Sequence, residues 1–369
     1  MNKSIKDIGF SRQKANFIRH TYIEDMEKYL LAFESQISAR GIDVQWVDTE
    51  TELCETIENL FLSKNYNKVC FDLPQVPTEL LSQKNLIKEI PIEACADNSE
   101  EAEYLITQAD FGIADTGSIV LVNKASKNLL NKIDHVIFVL DLNMILPRMA
   151  DLDTILNLYS VNHDDTILPS DIKIINAPYK RIISDMMQMS FNSQFSSEEV
   201  RLTVLLYNNG ITDIMEDNKI RESLFCINCG RCQQVCPVYA ITKEYTPIEL
   251  LKRNGNPNNR YKDVFEHTTL CGNCEKVCPV KIPFTDLFIR EMESVDYRQP
   301  GESGEDLLKD FLKRGKLNKE SSKLRRYFFL RKYYGKNRQL LNYFSNQQDE
   351  FFNIRWREAQ KELEKDGDE

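Results

Sequence analysis

The chain lacks any run near the ~20 apolar residues that a membrane-spanning helix requires. Its best candidate, His135-Val-Ile-Phe-Val-Leu140, is stopped at Asp141. The N-terminal Met1-Asn-Lys-Ser-Ile-Lys has no apolar centre of the kind a signal peptide carries, so the expected location is the cytoplasm. Basic residues are in deficit: 47 Lys and Arg stand against 57 Asp and Glu, a net charge of −10. That balance argues against nucleic acid as the main partner, since binding phosphates calls for an excess of basic surface. Neither G-x-G-x-x-G nor G-x-x-x-x-G-K-[ST] occurs, so flavin or nicotinamide chemistry, if involved, resides elsewhere. No nucleophile–base constellation is visible either. Of the four histidines, His20, His135 and His163 stand in no partner motif and read as structural.

What the chain does hold is cysteine. There are 10, and with no export signal they point away from disulfides. Seven are packed between residues 226 and 278. The first run reads Cys226-Ile-Asn-Cys229-Gly-Arg-Cys232-Gln-Gln-Val-Cys236-Pro237, and the second Cys271-Gly-Asn-Cys274-Glu-Lys-Val-Cys278-Pro279. C-x2-C-x2-C-x3-C-P is the bacterial ferredoxin run, in which three thiolates hold one [4Fe–4S] cluster and the fourth serves its neighbour. Soft sulfur donors match iron, short loops let several converge, and the proline turns the chain away from the site. By this crossover rule Cys226, Cys229, Cys232 and Cys278 hold the first cluster. Cys236, Cys271 and Cys274 hold the second.

The second set is one thiolate short, because Thr268 occupies the slot three residues before Cys271. Three arrangements satisfy that vacancy: a three-iron cluster, a four-iron cluster with its last iron open or held by an unexpected ligand such as His267 or hydroxide, or an empty second site. Zinc sites also use C-x2-C pairs, but the triplet spacing ending in Cys-Pro favours iron–sulfur ligation. Cys54, in a helix-like run, and Cys70, in an apolar strand, read as small buried hydrophobes. Cys95 has no assigned role.

With 369 residues, 42% hydrophobic and 10% aromatic, the chain can build one large domain or two. Phe17, Ile18, Tyr22, Met26, Tyr29, Leu30 and Phe33 recur at helical spacing. Strands are expected at Val44–Val47, Lys68–Leu73, His135–Leu140, Ile172–Ile175 and Val204–Tyr207, the last before a tight turn at Asn208-Asn209-Gly210. Helices are expected at 51–63, Asn98–Leu105 (capped by Asn98 or Ser99), Leu152–Leu158 and Lys219–Leu224. Two short apolar runs within Ala109–Val122 are joined through a small-residue turn, Asp115-Thr116-Gly117-Ser118. This alternation indicates an α/β unit with a mostly parallel sheet. Between the cysteine runs, Pro247–Arg253 starts a helix, 254–259 breaks it and 260–267 resumes it. A connection of that length points to a helical two-cluster domain. The expected divisions are 1–215, 216–295 and a charged helical tail at 296–369. The tail's basic and aromatic patch at Lys313–Arg338 reads either as a solvated face or as a docking arm.

Ala109-Asp-Phe-Gly-Ile-Ala-Asp-Thr-Gly-Ser-Ile-Val-Leu121, Leu224–Tyr239 and Leu270–Ile282 together resemble the lactate-utilisation iron–sulfur proteins of the LutB type. These join a LUD domain to a two-cluster ferredoxin module, and family members are similar in having seven such cysteines. The family's Asp-Asn-Gly-Arg turn stands here as Asn208-Asn-Gly-Ile211, and its Gly-Pro stretch as Ala177-Pro-Tyr179. The resemblance implies an electron-transfer subunit of a complex oxidising L-lactate to pyruvate, with a cysteine-rich partner and a second LUD protein. It also implies an α/β fold of the sugar-phosphate isomerase and CoA-transferase type, hence a pocket for a small organic acid. Asp115, Thr116, Gly117 and Ser118 are the candidates for that pocket; the alternative is a turn whose hydroxyls satisfy local backbone. Arg148 is a candidate carboxylate clamp. Two other functions fit the same cysteines: an electron-transfer subunit of another dehydrogenase or disulfide-reductase-like assembly, and a redox-sensing or scaffolding LUD protein.

Overall fold

Successive β-branched and aromatic residues in the central strands leave no polar face for solvent, which is the pattern of a parallel sheet covered on both sides. A computed structural model describes residues 5–62, 68–73, 88–90, 103–122, 126, 129–130, 132–159, 172–182, 197–252 and 267–293. The chain separates into two units, Met1–Thr212 and Asp213–Glu369.

In the first unit, β1 (Asp43–Val47), β2 (Lys68–Asp72), β3 (Lys88–Ile90), β4 (Tyr104–Gln108), β7 (His135–Asp141) and β12 (Arg201–Tyr207) form a six-stranded sheet in the order β1-β12-β7-β4-β2-β3. Every described pairing in it is parallel, with Thr203 opposite Ile137 and Ile106 opposite Ile137 on the other side. β7 is buried along its whole length and β12 is buried after Arg201. On one face Ile106, Ile137, Val139 and Leu205 pack with Leu53, Cys54 and Ile57 of α3 (Glu50–Leu62). Both Cys54 and Cys70 are buried, as expected of small apolar side chains.

A second, four-stranded sheet runs β8-β5-β6-β9, built from β5 (Phe111–Ile113), β6 (Ser118–Val122), β8 (Ile145–Leu146) and β9 (Ile172–Ile175). β10 (Lys180–Ile182) and β11 (Ser197–Glu199) form a separate antiparallel pair. The N-terminal periodicity resolves into two helices, α1 (Ile5–Glu24) and α2 (Met26–Ser38). Arg19 of α1 is fully buried and donates to the carbonyls of Ile145 (3.1 Å) and Asn143, while the Tyr22 hydroxyl donates to that of Leu142. These bonds give buried donors of α1 their acceptors and fix the helix against the 142–145 segment.

Two expectations are corrected and two are sharpened. Tyr104 and Leu105 lie in β4, not in a helix: both are fully buried between parallel neighbours, and tertiary burial overrides the acidic, cap-like residues upstream. Phe17 is 69% exposed because it falls off the buried stripe of Ala15, Ile18 and Tyr22. The tight turn expected at Asn208-Asn209-Gly210 is present and leads into a helix (Ile211–Glu216), whose Thr212 N–H donates to Asn208 Oδ1 at 3.0 Å. The segment before Cys226 is a 3-10 helix, Arg221–Phe225. Asn98–Ser99, Cys95, His163, 253–266 and the tail with its patch at 313–338 lie outside the described residues.

The turn at Asp115–Ser118 is held from several sides. Gly117 has φ +57°, and a Cβ there would come within 2.6 Å of the Ile37 backbone nitrogen. We predict that Gly117→Ala destabilises this unit by about 3 kcal/mol or more in denaturant unfolding, combining left-handed strain with a backbone clash. Gly9→Ala, in a helix with open space around it, is predicted to be neutral or stabilising by up to ~1 kcal/mol. Equal effects at the two positions would contradict the packing described.

Candidate metal centre

The two cysteine runs fold as local copies of one another. Asn228 (φ 54°) and Gly230 (φ 72°) in the first run correspond to Leu270 (φ 50°) and Gly272 (φ 71°) in the second. Each glycine caps a five-residue helix, Arg231–Val235 or Asn273–Val277, and each helix ends at an extended cysteine, Cys236 or Cys278, before proline. The left-handed positions turn the chain sharply enough for successive sulfurs to face one side. The two short helices lie against each other, which draws the two runs into one site.

Backbone N–H groups are aimed at sulfur throughout. Asn228 N–H donates to Cys226 Sγ at 3.3 Å, Tyr239 N–H to Cys236 Sγ at 3.5 Å and Ile282 N–H to Cys278 Sγ at 3.4 Å. Such donors stabilise thiolates and tune any group bound to them.

Burial and neighbouring sulfurs perturb four of the thiols. Burial, then Cys226 and Cys278, push Cys229 up to about 12, partly offset by the N–H and charge of Arg231. Cys232 is raised by burial and by Cys226, Cys229 and Cys278. In the other set, Cys236 is raised by burial and by Cys271, against N–H donors from Tyr239 and Val238. Cys274 is raised well above the usual thiol range by burial, then by Cys271, Cys232 and Cys236. Cys232 is thus near enough for its charge to act on Cys274 across the two sets.

A cleft is lined by Cys236, Cys271 and Cys274 together with His267, Thr268 and Thr285. The Thr285 hydroxyl is buried there with no hydrogen-bond partner, while its N–H is held by Glu275 Oε2 at 3.2 Å. Among the described residues no group of His, Cys, Asp and Glu side chains is arranged to hold a single metal ion. A single zinc would draw its sulfurs to ~3.8 Å of one another through bonds of ~2.3 Å, whereas a cube of iron and sulfide holds them farther apart. The soft donor set, the three-thiol cleft and the orphaned hydroxyl fit an iron–sulfur group.

The residues expected to bind an organic acid are gathered in the first unit, at the turn between β5 and β6. Asp115 Oδ1 accepts from the N–H of Met149 at 3.0 Å, at the start of α4 (Met149–Tyr159), and the Ser118 hydroxyl donates to Thr116 Oγ1 at 2.9 Å. Arg148 is paired through two bonds, 3.1 and 2.9 Å, with Asp151 one turn along its own chain. Its guanidinium is therefore engaged by the first turn of the helix that follows it. His135 is buried and bonded to Thr203 at 2.8 Å, the structural role expected of it, and His20 stands 3.9 Å from Glu24.

A polar cluster that sequence reasoning missed lies at the carboxyl ends of the parallel strands, where ligands of open α/β sheets are bound. There Thr107 meets Ser126 at 3.1 Å and Asp72 at 3.4 Å, and Gln108 donates to Asp141 at 3.3 Å. The available signal was the polar residue that ends β2, β4 and β7, namely Asp72, Gln108 and Asp141.

Comparison with known proteins agrees with this division. The family model described as the LUD domain matches residues 30–207, and that described as a 4Fe-4S dicluster domain matches 222–282. The chain thus joins a segment that matches the LUD domain to one that matches a 4Fe–4S dicluster domain. It is similar to Lactate utilization protein B of Bacillus cytotoxicus, 24% identical over 352 residues covering 77% of this chain and 71% of that one. The Bacillus cereus protein of the same name matches at 24% with the same coverage. A crystal structure of a duf162 family protein from Deinococcus radiodurans overlays on 50% of this chain and 99% of its own, with 15% identity and a TM-score of 0.36. That likeness is too distant to bear on the fold. Among the described residues no helix is long and apolar enough to cross a membrane.

The raised thiols give the dicluster domain a definite pH response. In metal-free protein the folded state favours protonated cysteines, so their contribution to stability is full below the unfolded thiol range and is lost as pH rises from about 9 toward 12. Cluster assembly, which needs thiolates, becomes easier over the same range. At pH 8 we predict that Cys229 in metal-free protein reacts with iodoacetamide about a thousandfold more slowly than in urea. Labelling at the urea rate would show that the thiol shell forms only around metal.

Proposed function

We propose that this chain is the iron–sulfur electron-transfer subunit of a cytoplasmic oxidoreductase complex that oxidises L-lactate or a related 2-hydroxy acid to the 2-oxo acid. The observation that carries the reading is the gathering of seven cysteines into two adjoining sets, by two runs that fold alike. The relatives' name, Lactate utilization protein B, supports the substrate class.

Oxidation of a 2-hydroxy acid to a 2-oxo acid releases two electrons and two protons. Cys226, Cys229, Cys232 and Cys278 would hold one [4Fe–4S] cluster, and Cys236, Cys271 and Cys274 the other. When bound, each supplies one-electron transfer. The chain's own work is to bury the sulfurs, to point the N–H groups of Asn228, Tyr239 and Ile282 at them, and to set the sets side by side.

For the LUD domain we infer a docking role. At the Asp115–Ser118 turn the side chains are engaged in a helix cap and a hydroxyl pair, and Gly117 abuts α2, so this turn braces the domain. The carboxyl edge of the large sheet presents Asp72 and Asp141, and its negative charge disfavours an organic anion. The acid would then be oxidised with the help of partner subunits, a cysteine-rich protein and a second LUD protein.

The test is anaerobic addition of L-lactate to the protein co-purified with its partners and to the protein alone. We predict bleaching of cluster absorbance and a paramagnetic reduced signal in the complex, and no change in the isolated chain. Absence of reduction by any 2-hydroxy acid in the intact complex would contradict the lactate reading and favour another dehydrogenase or a sensing role.

A further inference from the structure

We propose that the Thr268 hydroxyl is the fourth ligand of the second cluster, a weak oxygen donor that makes one corner iron labile. The proposal rests on the reading of Cys236, Cys271 and Cys274 as a cluster site.

Superposing the two runs by their backbone angles sets Thr268 against Cys226. In the first run the N–H of Asn228, two residues on, donates to Cys226 Sγ at 3.3 Å. In the second, the N–H of Leu270 donates to Thr268 Oγ1 at 3.2 Å. The same left-handed residue supplies the donor in both, with φ 54° and φ 50°. The threonine oxygen therefore occupies the place in its turn that a ligating sulfur occupies in the other. Thr268 is 7% exposed, and it lines the cleft with the three cysteines of this set.

The other candidate ligand beside the cleft is already engaged. His267 Nε2 is bonded to Glu244 Oε2 at 2.6 Å, and its ring stands edge-on to Tyr245 with centroids 5.1 Å apart. Thr285 contributes the second buried hydroxyl of the cleft, with no protein partner, and is available to donate to a sulfide of the group that fills it.

Ligation here is a dative bond from an oxygen lone pair to iron. The hydroxyl proton stays in place, and nothing is oxidised or reduced in forming it. Oxygen is a harder donor than thiolate and suits iron held among sulfurs less well. This corner is therefore the first to lose its iron on oxidation, and the other three stay on Cys236, Cys271 and Cys274.

The experiment uses reconstituted full-length protein, with electron paramagnetic resonance and Mössbauer spectroscopy on 57Fe samples before and after mild ferricyanide oxidation. In wild type we expect a four-iron cluster that gives up one electron to ferricyanide and a ferrous ion to solution, converts to the three-iron signal, and recovers with ferrous iron and a one-electron reductant such as dithionite. Thr268→Cys should abolish the conversion, Thr268→Ser should retain it, and Thr268→Val should yield the three-iron form as isolated. A Thr268→Val protein that keeps a wild-type four-iron spectrum would overturn the assignment, as would conversion unchanged in Thr268→Cys. If Thr268→Val fails to fold, the Cys and Ser variants still decide between the outcomes. Wild-type protein with iron for a single cluster would instead refute the two-cluster reading itself, which separates that failure from failure of the ligand assignment.

Discussion

Burying one thiolate beside another is unfavourable twice over, because each loses its solvation and each repels its neighbour. The dicluster domain is organised around that constraint. Burial and mutual repulsion raise Cys229, Cys232, Cys236 and Cys274, and only a buried positive group can relieve the strain of ionising them together. The N–H donors aimed at sulfur go part of the way. A cofactor carrying iron supplies the rest, so folding of this unit and loading of its metal are coupled. The helix caps at Gly230 and Gly272, the extended Cys236 and Cys278 and the prolines that follow all serve to hold sulfurs in a place where they would not otherwise ionise.

The α/β unit answers a different constraint. Its central strands are buried on both faces, so their polar groups are confined to the strand ends and to a few paired side chains such as His135 with Thr203. The buried Arg19 follows the same rule, since it finds carbonyls on the 142–145 segment. Among the described residues, the carboxyl edge of the sheet presents acidic side chains and the turn at Gly117 is braced by its own neighbours. A role in holding partners is consistent with that.

Much of this was legible in the sequence. The cysteine spacing carried the cofactor class, because ligand geometry demands short, fixed intervals. Apolar runs such as His135–Leu140 revealed the buried parallel strands, because burial on both faces removes alternation. Tyr104 and Leu105 were read into a helix from the acidic, cap-forming residues before them in sequence, whereas the partners that make Tyr104 a strand residue lie far along the chain, at Val69 and His135. The pairing of Thr116 with Ser118 and of Asp115 with the Met149 N–H could not be read, since it depends on which elements the fold brings together. Thr268 was visible as a gap in a pattern. That its oxygen receives the same backbone N–H as a ligating sulfur required the turn itself.

The crossing of the two runs is the central claim, and serine substitution at the two Cys-Pro positions tests it most directly. The account predicts that Cys278→Ser alters the reduced spectrum of the cluster held by Cys226, Cys229 and Cys232, leaving intact the cluster that loses iron on oxidation. Cys236→Ser should do the reverse. If each substitution instead disturbs the cluster of its own run, the two runs bind independently and the crossed assignment is wrong.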